Sequence, residues 1–217
     1  MTPNQITLLR VLMGFAAVAL FARNFWCDLA ALVLTIAAIT LDALDGYLAR
    51  RRKLATPLGA QLDILGDRVV ENLFFTFFAV TGLVSLWVPV LFFVRGTSTD
   101  FLRGLAARAG RNAFGANPML QTWWGRALVA SRASRAAYGA MKCLCFCYLG
   151  VELTLVRLPA AALSPAQVAW VRAAAEALVL ATVAFCLIRA VPVLWEGRRY
   201  FFAASPASVK TIVGGAQ

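Results

Sequence analysis

Asp42-Ala43-Leu44-Asp45-Gly46-Tyr47-Leu48-Ala49-Arg50-Arg51-Arg52-Lys53-Leu54-Ala55-Thr56-Pro57-Leu58-Gly59-Ala60-Gln61-Leu62-Asp63-Ile64-Leu65-Gly66-Asp67 sets four aspartates around a short basic turn, at the ends of two strongly apolar segments. An unpaired charge is expensive there, so ionisable residues in such a place point to function. On a helix, Asp42 and Asp45 are i, i+3 and share a face, and Ala49 follows Asp45 at i+4. Gly59, Asp63 and Asp67 recur at intervals of four, so one face of the next helix carries a glycine and then two carboxylates. Two helices joined by so short a turn become antiparallel neighbours, and all four acids can then point into one cleft.

The setting follows from composition. Of 217 residues, 61% are hydrophobic and only 14% charged, and the mean hydropathy is +0.76. That is far from a soluble domain. Apolar stretches of about 20 residues, enough to cross a hydrocarbon core of roughly 30 Å as helix, recur along the whole chain, so a cleaved signal peptide explains the N-terminus poorly. The pattern predicts an all-α integral membrane protein with six transmembrane helices: Ile6 to Phe21, Leu29 to Leu48, Gly59 to Thr81, Leu83 to Leu102, Ala130 to Leu155 and Ala166 to Val191. The catalytic site is expected at the cytoplasmic ends of helices 2 and 3. Residues 1–199 form a single domain in this reading, and residues 200–217 a mobile cytoplasmic tail. Gly104 to Gly125 reads as a cytoplasmic loop holding a short interfacial helix around Leu102 to Arg111.

Lys and Arg gather on one side: Arg50 to Lys53, Arg103 to Arg135, and Arg198, Arg199 and Lys210, against Arg23 and Arg157 on the other. The positive-inside rule then puts both termini in the cytoplasm, as a multi-pass protein of a bacterial inner membrane. A formal net charge of +11 invites a nucleic-acid reading, but no nucleic-acid module is recognisable and the charges sit at membrane edges. Attraction to anionic membrane lipids and to phosphate-bearing substrates accounts for it. The chain contains no histidine, which removes Ser-His triads and histidine metal sites. Cys143, Cys145 and Cys147 are two apart and do not share a helix face, so they read as small apolar filler.

Four carboxylates in a poorly solvated cleft raise one another's pKa unless a cation joins them. A set of hard oxygen donors suits Mg²⁺ or Mn²⁺. Two ions bridged by shared carboxylates would clamp a pyrophosphate and stabilise the attacking and leaving oxygens of an in-line displacement. Gly46, Ala49 and Gly59 keep side chains out of the way where a nucleotide could approach the backbone, and Arg50 offers a planar donor fork for phosphate.

The pattern Asp42-x-x-Asp45-Gly46-x-x-Ala49-Arg50, eight residues, Gly59-x-x-x-Asp63-x-x-x-Asp67 resembles the signature of the CDP-alcohol phosphatidyltransferase family at every defined position. Pro3, Asn4, Thr7 and Arg10 are similar to the opening of many members. The resemblance implies a six-helix membrane enzyme, commonly a homodimer, with two Mg²⁺ or Mn²⁺ ions per active site. It implies that Asp42 and Asp63 bridge both ions, that Asp45 completes one site and Asp67 the other, and that Asp67 is also the catalytic base on the acceptor hydroxyl. Gly46, Ala49, Arg50, Thr56, Gly59, Asn4 and Thr7 would contact the CDP-lipid. The reaction implied is attack by an alcohol on the lipid-bearing phosphorus of CDP-diacylglycerol, with release of CMP.

The acceptor is read from the basic residues of spans four and five. Arg103, Arg132, Arg135 and Lys142, with Arg95, Arg108, Arg111 and Arg126 nearby in sequence, could line a pocket for an alcohol that itself carries phosphate. Glycerol 3-phosphate is the leading expectation, and an inositol phosphate would use the same kind of pocket. Span four reads Arg95-Gly96 where synthases using glycerol 3-phosphate usually have Arg-Glu, and Ser131-Arg132-Ala133-Ser134-Arg135 replaces their Gly-Lys-x-Lys-Thr. A divalent-cation transporter is the alternative of another class, since intramembrane acids also mark ion pathways. It would favour acids near the midplane and a second cluster in a related half, whereas these acids gather toward one face.

Overall fold

The computed structural model describes the backbone of residues 3–52, 57–111, 118–158 and 163–203, and their side chains except at 3, 42–52, 57–58, 60 and 201–203. The described residues are helical throughout their regular structure, with no strand among them: α1 (Pro3–Leu20), α2 (Phe25–Arg52), α3 (Pro57–Val80), α4 (Trp87–Arg108), the single turn α5 (Trp123–Gly125) running into a π-helical turn at Arg126–Ala130, α6 (Arg132–Val156) and α7 (Pro165–Ala203). Each of the six apolar segments expected from the sequence falls on one of the six long helices. Thr56 and residues 204–217, most of the expected tail, lie outside the described residues.

Local chemistry explains the boundaries. α1, α3 and α7 open on proline, whose fixed φ suits the first helical position and whose missing N–H costs nothing there. Ser164 and Gln167 form a capping box at the start of α7: Gln167 N donates to Ser164 Oγ at 3.3 Å and Ser164 N donates to Gln167 Oε1 at 2.8 Å. Asn24 caps α2, accepting from Cys27 N at 2.9 Å. α3 and α4 both end on a glycine in the left-handed region, Gly82 at φ 79° and Gly110 at φ 73°. In each the following residue donates back to the fifth residue before it, Leu83 N to Phe78 O at 3.0 Å and Arg111 N to Ala106 O at 2.9 Å, which closes the last carbonyls of the helix. The interfacial helix expected at Leu102 to Arg111 is therefore not a separate element. α4 runs on through Gly104, where nothing crowds the backbone, and stops only when Gly110 reverses the chain.

Among the described residues two helices, α6 and α7, are long and apolar enough to cross a membrane by length and composition, while α1 and α2 hold shorter apolar runs at 4–20 and 25–41. α3 and α4 carry Asp63, Asp67, Arg68 and Glu71, and Arg95, Asp100 and Arg103, and these charges dilute their apolar character. α7, with 39 residues, is roughly 58 Å long at 1.5 Å per residue. That exceeds a hydrocarbon core of roughly 30 Å, so it continues well past the span Ala166 to Val191 read from hydropathy.

The chain divides into two compact units, Met1–Phe93 with Ala140–Thr182, and Val94–Gly139 with Val183–Gln217. In the first, α1 packs on α2 and α3. A phenylalanine cluster forms its core: Phe75 meets Phe92 at 4.3 Å and Phe146 at 4.9 Å between ring centroids, and Phe74 stacks on Phe146 at 5.1 Å. Offset and edge contacts of this kind favour aromatic pairs beyond the area they bury.

In the second unit Leu102, Ala106, Met119, Leu120, Val129 and Val193 form the core. Glu196 of α7, fully buried, accepts from Gln121 N at 2.7 Å, Thr122 N at 3.4 Å and Thr122 Oγ1. It thereby holds the segment that leads into α5. Removing this acceptor leaves these part-buried donors without it, at up to about 1 to 3 kcal/mol each. Glu196→Ala should therefore lower the unfolding midpoint of the detergent-purified protein by several degrees, and Glu196→Gln, which keeps one acceptor oxygen, by much less. Equal midpoints for the two variants would contradict this role.

Candidate active site

Asp63 and Asp67 are one helical turn apart on α3. Between them and α1 lies the guanidinium of Arg10, whose Nη2 is 3.2 Å from Asp63 Oδ1 and 3.0 Å from Asp67 Oδ1. A single nitrogen thus reaches both carboxylates, so their oxygens converge on one point. The exposures are unequal: the side chain of Arg10 is 5% exposed, those of Asp63 and Asp67 51% and 47%. The cation is set into the α1–α3 seam, and the acids open away from it. Gly66 makes the seam narrow, because a Cβ there would come 2.9 Å from Thr7 Cγ2 and 3.2 Å from Arg10 Nη2.

Of the expected nucleotide contacts, Thr7 is buried in this seam and Asn4 is half-buried one turn before it. Gly59 lies one turn before Asp63 on α3. Asp42, Asp45, Gly46, Ala49 and Arg50 are on α2, their side chains outside the described residues. Among the described residues no three metal-ligating side chains gather. What Asp63 and Asp67 contribute is an oxygen pair already converging on a positive charge, a donor chemistry that fits Mg²⁺ or Mn²⁺.

One turn beyond Asp67, Glu71 is 1% exposed and accepts from Arg68 Nη1 at 2.8 Å and Lys142 Nζ at 3.3 Å. Lys142, expected beside the acceptor, is engaged with this buried carboxylate in the first unit. Arg103, Arg132 and Arg135 belong to the second unit. Arg103 Nη1 is 3.0 Å from Asp100 Oδ1, and Arg132 and Arg135 are exposed in the first turns of α6.

The second unit also contains two buried arginines on either helix flanking Tyr138. Arg95, 7% exposed, lies 5.7 Å from the Tyr138 ring centroid, and Arg189, 5% exposed, 5.2 Å from it. Arg189 donates to Leu128 O at 2.6 Å, Val129 O at 3.3 Å and Ser134 Oγ, closing carbonyls that the π-helical turn leaves over. The Nε of Arg95 is buried without a hydrogen-bond partner among the described residues. A guanidinium so enclosed, with the charge of Arg189 beside it, is costly unless an anion joins it.

Arg10, matched only within the opening Pro3, Asn4, Thr7 and Arg10, and Arg189 carry no assigned role on sequence grounds. Each had a readable signal, a lone arginine in an otherwise apolar run. Neither run says which partner the charge will meet.

The model of the CDP-alcohol phosphatidyltransferase family matches residues 1–205. Among curated proteins, a CDP-diacylglycerol–glycerol-3-phosphate 3-phosphatidyltransferase of Pseudomonas fluorescens is 44% identical over 69 residues, 31% of this chain and 35% of that protein. One of Cereibacter sphaeroides is 41% identical over 70 residues, covering 31% and 32%, and one of Bacillus subtilis is 29% identical over 136 residues, covering 56% and 70%. The matched stretch thus spans about a third of the length of the first two relatives.

Proposed function

We propose, from the premise that this chain belongs to the CDP-alcohol phosphatidyltransferase family, that it transfers the phosphatidyl group of CDP-diacylglycerol to glycerol 3-phosphate and releases CMP. The observation that carries the reading is the convergence of Asp63 and Asp67 on one point, at the spacing the family signature requires. The names of the relatives in Pseudomonas, Cereibacter and Bacillus support the acceptor. The chain acts as a membrane protein in which α1 to α4, α6 and α7 each span the bilayer, with both termini in the cytoplasm, and it works as a homodimer. The many large apolar side chains left exposed on the long helices, among them Leu8, Leu12, Val33, Phe93 and Leu180, support a lipid-facing surface.

Asp42, Asp45, Asp63 and Asp67 hold two divalent cations, Mg²⁺ or Mn²⁺, which when bound neutralise the pyrophosphate and make CMP a better leaving group. Arg50 and Thr56 bind the donor phosphates, and Gly46, Ala49, Gly59, Asn4 and Thr7 shape the nucleotide cleft. Asp67 accepts the proton of the acceptor hydroxyl as that oxygen attacks the lipid-bearing phosphorus. Arg103, Arg132, Arg135 and Lys142, with Arg95, bind the acceptor's phosphate. The same pocket would take an inositol phosphate, and incubation with CDP-diacylglycerol and a panel of alcohols, read by CMP release and product mass, separates the two.

Because the donor set is oxygen alone, turnover is expected to vanish in excess chelator and return on adding Mg²⁺ or Mn²⁺. Undiminished CMP release in metal-free buffer would refute the mechanism, and acid-dependent cation flux without CMP release would favour a transporter.

A further inference from the structure

Arg10 reaches Asp63 and Asp67 with the same nitrogen, from a buried position behind carboxylates that remain about half exposed. We infer that Arg10 is the positioning residue of this pair, and that Gly66 is the residue that admits it. The inference rests on the functional assignment of Asp63 and Asp67 above.

An aspartate on an exposed helix face turns about two side-chain bonds, and a pair of them one turn apart repel. A guanidinium between them offsets the repulsion and draws one oxygen of each toward the same nitrogen. Since Arg10 is enclosed between α1 and α3, it fixes the acids from the protein side, and about half of each acid's side chain stays exposed. Groups that orient metal ligands in this way commonly alter metal affinity or activity about 10- to 100-fold when replaced.

Gly66 stands between the two acids in sequence and faces α1. A methyl group there would lie 2.9 Å from Thr7 Cγ2, 3.2 Å from Arg10 Nη2 and 3.4 Å from Val11 Cγ2. Two of those three contacts are branched side chains of α1 that cannot swing away as the end of a long chain can. A larger residue must therefore push α1 outward or displace the guanidinium. The absence of a side chain at position 66 lets α1 come close enough for Arg10 to reach both acids.

The test compares wild type with Arg10→Gln, Arg10→Lys, Gly66→Ala and Leu12→Ala in detergent, the last being an exposed position on α1. Mn²⁺ binding is read by electron paramagnetic resonance of the free ion, folding by the thermal midpoint, and kcat and KM for CDP-diacylglycerol at saturating Mn²⁺. Arg10→Gln and Gly66→Ala should each weaken Mn²⁺ binding and lower kcat by about tenfold or more, with KM for CDP-diacylglycerol changed less than about threefold. Arg10→Lys, which keeps the charge, should recover a large part of the Mn²⁺ affinity, and Leu12→Ala should match wild type. If Arg10→Gln does not fold, Arg10→Lys and Gly66→Ala decide the matter between them. Mn²⁺ affinity that is unchanged or higher in folded variants overturns the inference, because Arg10 is then only a counter-ion. Absence of Mn²⁺ binding by the wild type, or its persistence in Asp63→Asn, overturns the functional reading instead.

Discussion

Asp67→Asn is expected to cut CMP release by about a hundredfold to ten-thousandfold, the range over which a positioned base contributes, while the protein keeps its fold. The amide has the volume of the carboxylate and can still meet the Arg10 guanidinium through its oxygen, so packing in the α1–α3 seam is disturbed little. It cannot take a proton at neutral pH. Asp42→Asn and Asp63→Asn should lose turnover too, but together with Mn²⁺ binding, because each is assigned to both ions. Asp67→Asn should retain more of that binding. The contrast between the variants is the informative quantity, measured by CMP release alongside Mn²⁺ titration. Near-normal turnover in Asp67→Asn would mean that another group is the base.

The second large effect concerns the acceptor. Arg95 is buried beside Tyr138 and Arg189, and an entering phosphate would make charge-assisted hydrogen bonds with it worth roughly 1.5 to 3 kcal/mol. Arg95→Gln should therefore raise KM for glycerol 3-phosphate about tenfold or more and leave KM for CDP-diacylglycerol nearly unchanged. Arg103→Gln, Arg132→Gln and Arg135→Gln test the remaining members, and Arg50→Gln should show the opposite pattern. Lys142→Gln tests the fourth, and because it also removes a partner of the buried Glu71, its unfolding midpoint is read beside the acceptor KM. If every arginine variant leaves acceptor kinetics flat and an uncharged alcohol is the better substrate, the phosphate pocket is absent, and these residues serve topology.

Much of the local structure was legible. Intervals of four put Gly59, Asp63 and Asp67 on one helical face whatever the rest of the chain does, since the period belongs to the helix itself. Proline openings, the Ser164–Gln167 box and the glycines at 82 and 110 are equally local boundary signals, though the spans above were placed by hydropathy alone. Hydropathy misjudged the end of α4 because it weighs the charge of Arg103 and Arg108, and neither charge breaks a helix. It stopped α7 short at Val191 for a similar reason: Glu196, Arg198 and Arg199 end an apolar run without ending the backbone hydrogen bonding.

By itself, then, the sequence determined the helical character, the apolar setting, the spacing of the four aspartates and the family they indicate, because each is a property of composition or of residues within a few turns. Tertiary structure alone decided the partners: Arg10 with Asp63 and Asp67, Lys142 with Glu71, Arg95 and Arg189 around Tyr138, and Glu196 with Gln121 and Thr122. Those pairs join residues far apart in the chain. Which charge meets which depends on how closely two helices approach and at what rotation, and that is set by details such as the missing side chain of Gly66, which pack one helix against another and leave no periodic trace in the sequence.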